Sequence, residues 1–275
     1  VGKWHRQVSM LSFEKIEAFR EKGADVDFGA FGENLVVEGF DLSKVPVGTK
    51  FQIGEAILEL TQIGKECHSH CAIYKVMGDC IMPREGVFTR VLKGGEIKAG
   101  DEITMLPLEK DRPFTAAVIT LSDKGAAGER EDKSGPLIQE MLMKEGYDVI
   151  ETLLLPDGEQ PLKHQLMRLA DQRQVNVIFT TGGTGFAERD VTPEATQAVC
   201  DRVAMGIADA IRQYSLSITG RAMLSRAVSG IRKKTLIVNL PGSPKAVKES
   251  LEYVLPHLGH GLGILRGTDG ECGNS

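Results

Sequence analysis

The sequence predicts a two-part chain whose larger part, residues 113–275, is an α/β unit with a three-layer, doubly wound, mostly parallel sheet. Apolar strands lacking polar alternation recur there between helical segments, as expected of a sheet covered on both faces. Glycine- or proline-containing turns close several of those strands, which marks strand-to-helix corners. Residues 1–108 instead carry short strand-like runs punctuated by glycines, the pattern of a β-rich barrel or sandwich.

In the first part the predicted strands are Asn34–Val37, Lys50–Ile53, Ala56–Gln62 and Val87–Leu92, with Gly39, Gly48, Gly54, Gly64, Gly86, Gly94, Gly95 and Gly100 as turn signals. A single helix, about Ser12 to Glu21, is the expected exception. The break falls in the charged, proline-bounded stretch from Leu106 to Pro113. Beyond it the expected order is strand Phe114–Leu121, helix Pro136–Lys144, strand Asp148–Leu154, helix Pro161–Asp171 and strand Val175–Thr180. Gly146 stands where a helix end favours a left-handed residue. Thr192 is expected to cap a helix with Pro193 at its first position. Strand Thr235–Leu240 then leads into a helix from Ser243-Pro244 to about Leu255.

A chain of 275 residues accommodates two domains, and 41% hydrophobic with 26% charged residues is the balance of a globular protein. No apolar run approaches the roughly 18–20 residues of a membrane span, and nothing points to export. The start at Val1, with Trp4-His5-Arg6-Gln7 reading like the interior of a domain, predicts that strands of the first domain are missing. Five cysteines, three of them crowded at Cys67, Cys71 and Cys80, do not form a disulfide framework and suit a reducing cytoplasm. A net charge of −5 gives no reason to expect nucleic acid. Between Asp209 and Glu249, however, Arg212, Arg221, Arg226, Arg232, Lys233, Lys234, Lys245 and Lys248 occur without an acid. That interval is either a solvated basic face or a pocket for a polyanionic small molecule.

The most informative segment is Val177-Ile178-Phe179-Thr180-Thr181-Gly182-Gly183-Thr184-Gly185, a buried strand running into a glycine turn. Without Cβ atoms, backbone amides can approach phosphate oxygens, and the carboxyl ends of parallel strands are where open α/β sheets bind ligands. Asp190 follows that turn, and Asp157 follows the preceding strand in Pro156-Asp157-Gly158. Each is open to two readings, a turn or capping carboxylate and a ligand for Mg²⁺, which takes carboxylate and phosphate oxygens. Asn239-Leu240-Pro241-Gly242-Ser243-Pro244-Lys245 is a second strand-to-helix turn with amides and a lysine able to bind an anion. Leu224-Ser225-Arg226-Ala227 adds a hydroxyl and a guanidinium suited to bidentate phosphate contact.

Leu121-Ser122-Asp123, Asp132-Lys133-Ser134-Gly135-Pro136, Pro156-Asp157, Thr180–Gly185, Arg189–Thr196, Leu224–Ala227 and Asn239–Lys245 occur in the order found in the molybdopterin adenylyltransferase family, which residues 113–265 resemble. The resemblance implies a trimeric fold of the molybdopterin-binding type and a Mg²⁺- and ATP-dependent reaction in molybdenum cofactor biosynthesis. Asp157 and Asp190 match the family's two catalytic, metal-holding aspartates. Ser122, Asp123, Gly182, Gly183, Thr184, Gly185, Ser225, Arg226, Pro241, Gly242, Ser243 and Lys245 match its substrate- and nucleotide-binding positions. In the implied reaction the terminal phosphate of molybdopterin attacks the α-phosphate of ATP, giving adenylyl-molybdopterin and pyrophosphate. Two departures stand in Ala204-Met205-Gly206-Ile207-Ala208-Asp209, where Met205 replaces a proline and Asp209 a glutamate of the family pattern.

His5-Arg6-Gln7-Val8-Ser9, Gly32-Glu33-Asn34-Leu35, Pro46-Val47-Gly48-Thr49, Ile53-Gly54 and Gly94–Asp101 resemble a MOSC domain over residues 1–105, lacking that family's opening strands. The family has a cysteine proposed to carry sulfur or approach the metal of the molybdenum cofactor, and Cys67, in Gly64-Lys65-Glu66-Cys67-His68-Ser69-His70-Cys71, stands nearest to that position. Three readings of Cys67 remain open: a small core residue, a zinc ligand within the Cys-His-Ser-His-Cys run, and a reactive thiol favoured by Lys65 and the histidines. The expected whole is a cytoplasmic homotrimer working with other cofactor-biosynthesis proteins, without nucleic acid or membrane as partners. The alternative is a non-catalytic pterin-binding carrier or scaffold.

Overall fold

The computed structural model describes residues 4–67, 69 and 71–269. The chain divides into two compact units, Val1–Glu109 and Lys110–Ser275, each with its own sheet.

The first unit runs β1 (Val8–Ser12), α1 (Phe13–Arg20), β2 (Leu35–Val37), β3 (Lys50–Ile53), β4 (Ala56–Ile63), α2 (Ala72–Met77), α3 (Met82–Glu85), β5 (Val87–Lys93) and β6 (Ile103–Leu106). Its sheet has the order β2-β1-β5-β4-β3-β6, with every pair antiparallel except β1 and β2. Neighbouring residues face opposite sides. Leu11 and Phe88 join a core with Ile16, Phe19 and Met82, while Met10 and Val87 join one with Phe51, Leu58 and Leu60. The β-rich expectation holds, but the expectation of one helix does not: α2 and α3 follow β4, and a 3-10 turn spans Leu42–Lys44. Both are short, of 6 and 4 residues, so no apolar periodicity announces them.

The second unit runs β7 (Thr115–Leu121), α4 (Asp123–Ala126), α5 (Ser134–Lys144), β8 (Asp148–Leu155), α6 (Glu159–Met167), β9 (Val177–Thr181), α7 (Thr192–Val199), β10 (Arg202–Val203), α8 (Met205–Leu216), β11 (Ser229–Arg232), β12 (Thr235–Leu240) and α9 (Pro244–Arg266). The sheet order is β10-β11-β12-β9-β7-β8, parallel from β12 to β8 and antiparallel at the β11 edge. Alternate strand residues separate into two cores. Ala116, Val118, Phe179 and Val238 pack with α5, α8 and α9, whereas Ala117, Ile119, Ile178 and Ile237 pack with α6 and α7. That division is the three-layer, doubly covered sheet that continuous apolar strands require.

Several element ends differ from expectation for local reasons. Helix α5 begins at Ser134, because Asp132 Oδ1 accepts from the amides of Ser134 and Gly135, both at 3.0 Å. Thr192 is the first residue of α7 rather than its cap, and its hydroxyl donates to Gly182 O at 2.9 Å. Helix α6 opens at Glu159 and passes into a π-turn over Arg168–Gln172. Helix α9 continues through Pro256 to Arg266, since Val247, Leu251, Val254, Leu255, Leu258 and Leu262 keep one face buried. A mid-helix proline removes one amide, and that continuous apolar face compensates.

Candidate functional site

Strands β7, β8, β9 and β12 all end at one rim of the sheet, and the turns after them converge. They enclose a cavity of about 790 Å³. Its wall includes Ser122 and Asp123 after β7, Asp157 after β8, Gly182, Gly183 and Asp190 after β9, and Gly242 and Ser243 after β12. Both catalytic candidates therefore share one site. Thr184, Gly185, Ser225, Arg226, Pro241 and Lys245 lie outside that wall.

The glycine turn is tight because it is pressed between neighbours. Gly182 has φ +95°, and a Cβ there would stand 2.4 Å from Leu121 O. Gly183 has φ +64°, and its Cβ would stand 2.3 Å from Thr192 Oγ1. Only glycine adopts that backbone without displacing β7 and the start of α7. Behind the turn, fully buried Asn239 donates through Nδ2 to Thr180 Oγ1 and Thr196 Oγ1, both at 2.9 Å, and so joins β12, β9 and α7.

The acids are held by backbone. The Asp157 amide donates to Asp123 Oδ1 at 2.9 Å, and the Asp123 amide donates to Asp157 Oδ2 at 3.2 Å. The Ala187 amide donates to Asp190 Oδ2 at 2.9 Å. Burial pushes the Asp157 carboxyl above its ordinary value, and the negative charges of Asp123 and Asp190 add to the rise. The Asp123 amide and Arg189, whose Nε lies 3.9 Å from Asp157 Oδ2, oppose it. Incompletely compensated carboxylates beside a cavity lined by amides are an environment that a hard, oxygen-seeking cation would relieve.

Arg226 does not present a free guanidinium to an anion. Nε donates to Gly185 O at 2.7 Å, one terminal nitrogen donates to Asp190 O, and the other pairs with Glu194. It braces the glycine turn from behind. Ser225 Oγ accepts a long bond from the Ala227 amide at 3.4 Å. Lys245 is 84% exposed and 3.9 Å from Glu249.

The basic interval disperses likewise. Arg212 pairs with Asp209, Arg232 and Lys233 with Asp171, and Lys248 with Glu252. Asp209, one of the two departures, thus faces Arg212. The cavity's cations come instead from Lys124, Arg130, Lys133 and Arg189. Sequence reasoning passed over these as site residues because Glu129–Lys133 mixes both charges in a loop, which reads as solvated surface. Thr120 also lines the cavity, and its buried hydroxyl has no hydrogen-bond partner among the described residues.

In the first unit Cys67 is exposed, which removes the core reading. It lines a cavity of about 270 Å³ with Cys71 and buried Cys80, and a second of about 520 Å³ with Trp4, Arg6, Lys65 and Phe88. Among the described residues no three His, Cys, Asp or Glu side chains are gathered to hold a metal ion. His68 and His70, part of the zinc reading, lie outside the described residues. No helix among the described residues is long and apolar enough to cross a membrane.

Comparison with known proteins agrees with both resemblances. Residues 117–260 match the family described as "Probable molybdopterin binding domain", and residues 1–104 match the MOSC domain. A molybdopterin adenylyltransferase of Haemophilus influenzae is 45% identical over 139 residues, 50% of this chain and 71% of the relative. One from Helicobacter pylori is 39% identical over 153 residues, 55% of this chain and 87% of the relative. The crystal structure of the molybdopterin biosynthesis enzyme MoaB from Thermus thermophilus superposes with a TM-score of 0.54 at 45% identity, covering 56% of this chain and 97% of that one. The chain therefore belongs to the molybdopterin-binding family through residues 117–260, and it carries a MOSC domain over residues 1–104.

Proposed function

We propose that residues 113–275 transfer the adenylyl group of ATP to molybdopterin, releasing pyrophosphate, in a Mg²⁺-dependent step of molybdenum cofactor biosynthesis. The observation that carries this reading is the convergence of Asp157 and Asp190 on one cavity with the glycine turn. The relatives named molybdopterin adenylyltransferase support it.

Both reactants are anions, so charge repulsion and alignment form the main barrier. The amides of the turns after β9 and β12, with Lys124, Arg130, Lys133 and Arg189, face the phosphates and stabilise charge on their oxygens. Asp157 and Asp190 would hold Mg²⁺, with phosphate oxygens and water completing its shell, because the protein offers the ion fewer than three gathered side-chain ligands among the described residues. Bound there, the ion would neutralise and orient the phosphates. No nucleophilic side chain is needed, since the attacking oxygen belongs to the pterin phosphate.

The trimer implied by resemblance has support in Leu216, Ile218, Met223 and Leu224, all more than 40% exposed where α8 ends and the next turn begins. Apolar side chains clustered in this way suit burial against a second copy. In the first unit, Cys67 would carry sulfur or meet the metal of the cofactor.

The test is pyrophosphate release from ATP with Mg²⁺ and molybdopterin, comparing the parent with Asp157→Ala and Asp190→Ala. Loss of release in both variants is expected. Parent activity no higher than theirs would leave the carrier or scaffold reading in its place.

A further inference from the structure

We propose that Cys71 and Cys80 form a dithiol that discharges sulfane sulfur held on Cys67, releasing it as hydrosulfide. This rests on the reading of Cys67 as a sulfur carrier and adds the residues that would complete its chemistry.

Three thiols from the two connections that flank α2 meet at one cavity, and the fold explains how. Cys67 lies in the loop after β4, and Cys71 stands at the start of α2. Gly78, at φ +68°, ends α2 and reverses the chain, which returns Cys80 beside Cys71. Asp79 Oδ1 accepts from the Cys80 amide at 2.8 Å, and Arg84 grips both Asp79 oxygens at 2.9 Å. The backbone of Cys80 is therefore fixed. Cys71 and Cys67 both stand close enough to Cys80 to add to the upward push that burial gives its thiol. All three line the same space of about 270 Å³ with Glu66, Ser69, Tyr74 and Pro83.

Exposure assigns the roles. Cys67 and Cys71 are exposed, so a sulfane donor from solution reaches them, while Cys80 is buried. Burial pushes the Cys80 thiol up, so it keeps its proton near neutral pH. The chemistry balances in two steps. The Cys71 thiolate attacks the outer sulfur of the Cys67 persulfide, forming a persulfide on Cys71 and freeing the Cys67 thiolate. The Cys80 thiol gives its proton to the Cys67 thiolate freed in the first step, and the resulting Cys80 thiolate attacks the inner sulfur of the Cys71 persulfide. The disulfide forms, and the outer sulfur leaves with the bond electrons and its own hydrogen as hydrosulfide. Two thiols are oxidised by two electrons and the sulfane sulfur is reduced by two. An external dithiol reductant resets the pair.

The experiment uses the full chain, reduced, desalted and kept anaerobic, with inorganic polysulfide as the sulfur donor. Peptide mass mapping and sulfide release are followed in the parent, Cys67→Ser, Cys71→Ser, Cys80→Ser and Cys80→Ala. The parent should release hydrosulfide in step with a Cys71–Cys80 disulfide. Cys71→Ser should keep the added sulfur on Cys67, both Cys80 variants should hold it on Cys67 and Cys71, and all three should release sulfide about tenfold more slowly or worse. Phenylarsine oxide, which bridges dithiols, should bind the parent and Cys67→Ser equally and bind Cys71→Ser poorly. Exposed Cys71 makes that arm independent of any folding defect at Cys80. Release from Cys71→Ser at the parent rate, or a disulfide mapped to another pair, overturns the proposal. Sulfur loading in Cys67→Ser equal to the parent would instead overturn the carrier reading and leave the dithiol standing.

Discussion

The backbone amides of Asp123 and Asp157 are each bound by the other residue's carboxylate, at 3.2 and 2.9 Å respectively. This exchange joins the ends of β7 and β8, and the Ser122 amide reinforces it by donating to Leu155 O at 2.9 Å. Asp123 is thus a positioning residue for Asp157. Asp123→Ala should lower kcat by about 10–100-fold, the scale seen when a supporting partner of a metal ligand is lost. Asp123→Asn keeps an accepting oxygen and should recover most of that loss. Steady-state pyrophosphate release with both variants checks it; equal loss in Asn and Ala would show that the charge, not the hydrogen bond, matters.

Asp157 gives a pH prediction. Burial and neighbouring acids raise its folded pKa above the ordinary value of 3.8, so the folded protein holds that proton more tightly than the unfolded chain. The charged form therefore costs stability at neutral pH, and the cost disappears as pH falls through the raised value. Without Mg²⁺, Asp157→Asn should raise Tm at neutral pH by a degree or two, about 1 kcal/mol or less for a domain of this size. The gain should vanish in acid, while activity is lost at every pH. Thermal unfolding across pH without added Mg²⁺ is the measurement, and a lower Tm for the variant at neutral pH would contradict it.

Gly182→Ala should damage both fold and activity. The added Cβ meets the Leu121 carbonyl at 2.4 Å on backbone with φ +95°, and backbone cannot move aside cheaply. A loss of about 1–3 kcal/mol is expected from strain of this kind. Chemical denaturation should show it, with catalysis falling further than stability accounts for, because the turn lines the cavity.

Arg226 separates bracing from binding. Its three contacts end on Gly185 O, Asp190 O and Glu194. A lysine cannot reproduce that fork. Arg226→Lys should therefore lower kcat and leave KM for ATP within about threefold, because the guanidinium orients the turn without touching phosphate. A large rise in KM with kcat unchanged would restore the direct phosphate contact that sequence alone suggested.

Much of the second unit was legible because its cues are local. The continuous apolar strands, the glycine turn and the two acids at strand ends each follow from short segments, and the chain supplies them in register. Features that depend on distant partners were hidden. Nothing in Leu224-Ser225-Arg226-Ala227 reveals that Arg226 faces Gly185 and Glu194, or that Arg232 pairs with Asp171. The cationic wall of Lys124, Arg130, Lys133 and Arg189 was missed as well, since the fold assembles it from α4, the loop before α5 and the loop after β9. Helices α2 and α3 are too short to leave a period, and α9 outran its expected end because packing overrode Pro256.

The central claim is that Asp157 and Asp190, with the glycine turn, carry adenylyl transfer rather than binding alone. The most direct measurement follows ATP labelled at the α-phosphate, incubated with molybdopterin and Mg²⁺, and asks where the label goes. The account predicts Mg²⁺-dependent appearance of label in adenylyl-molybdopterin, matched by pyrophosphate and absent in Asp190→Ala. Molybdopterin that binds tightly while the label stays in ATP would contradict it.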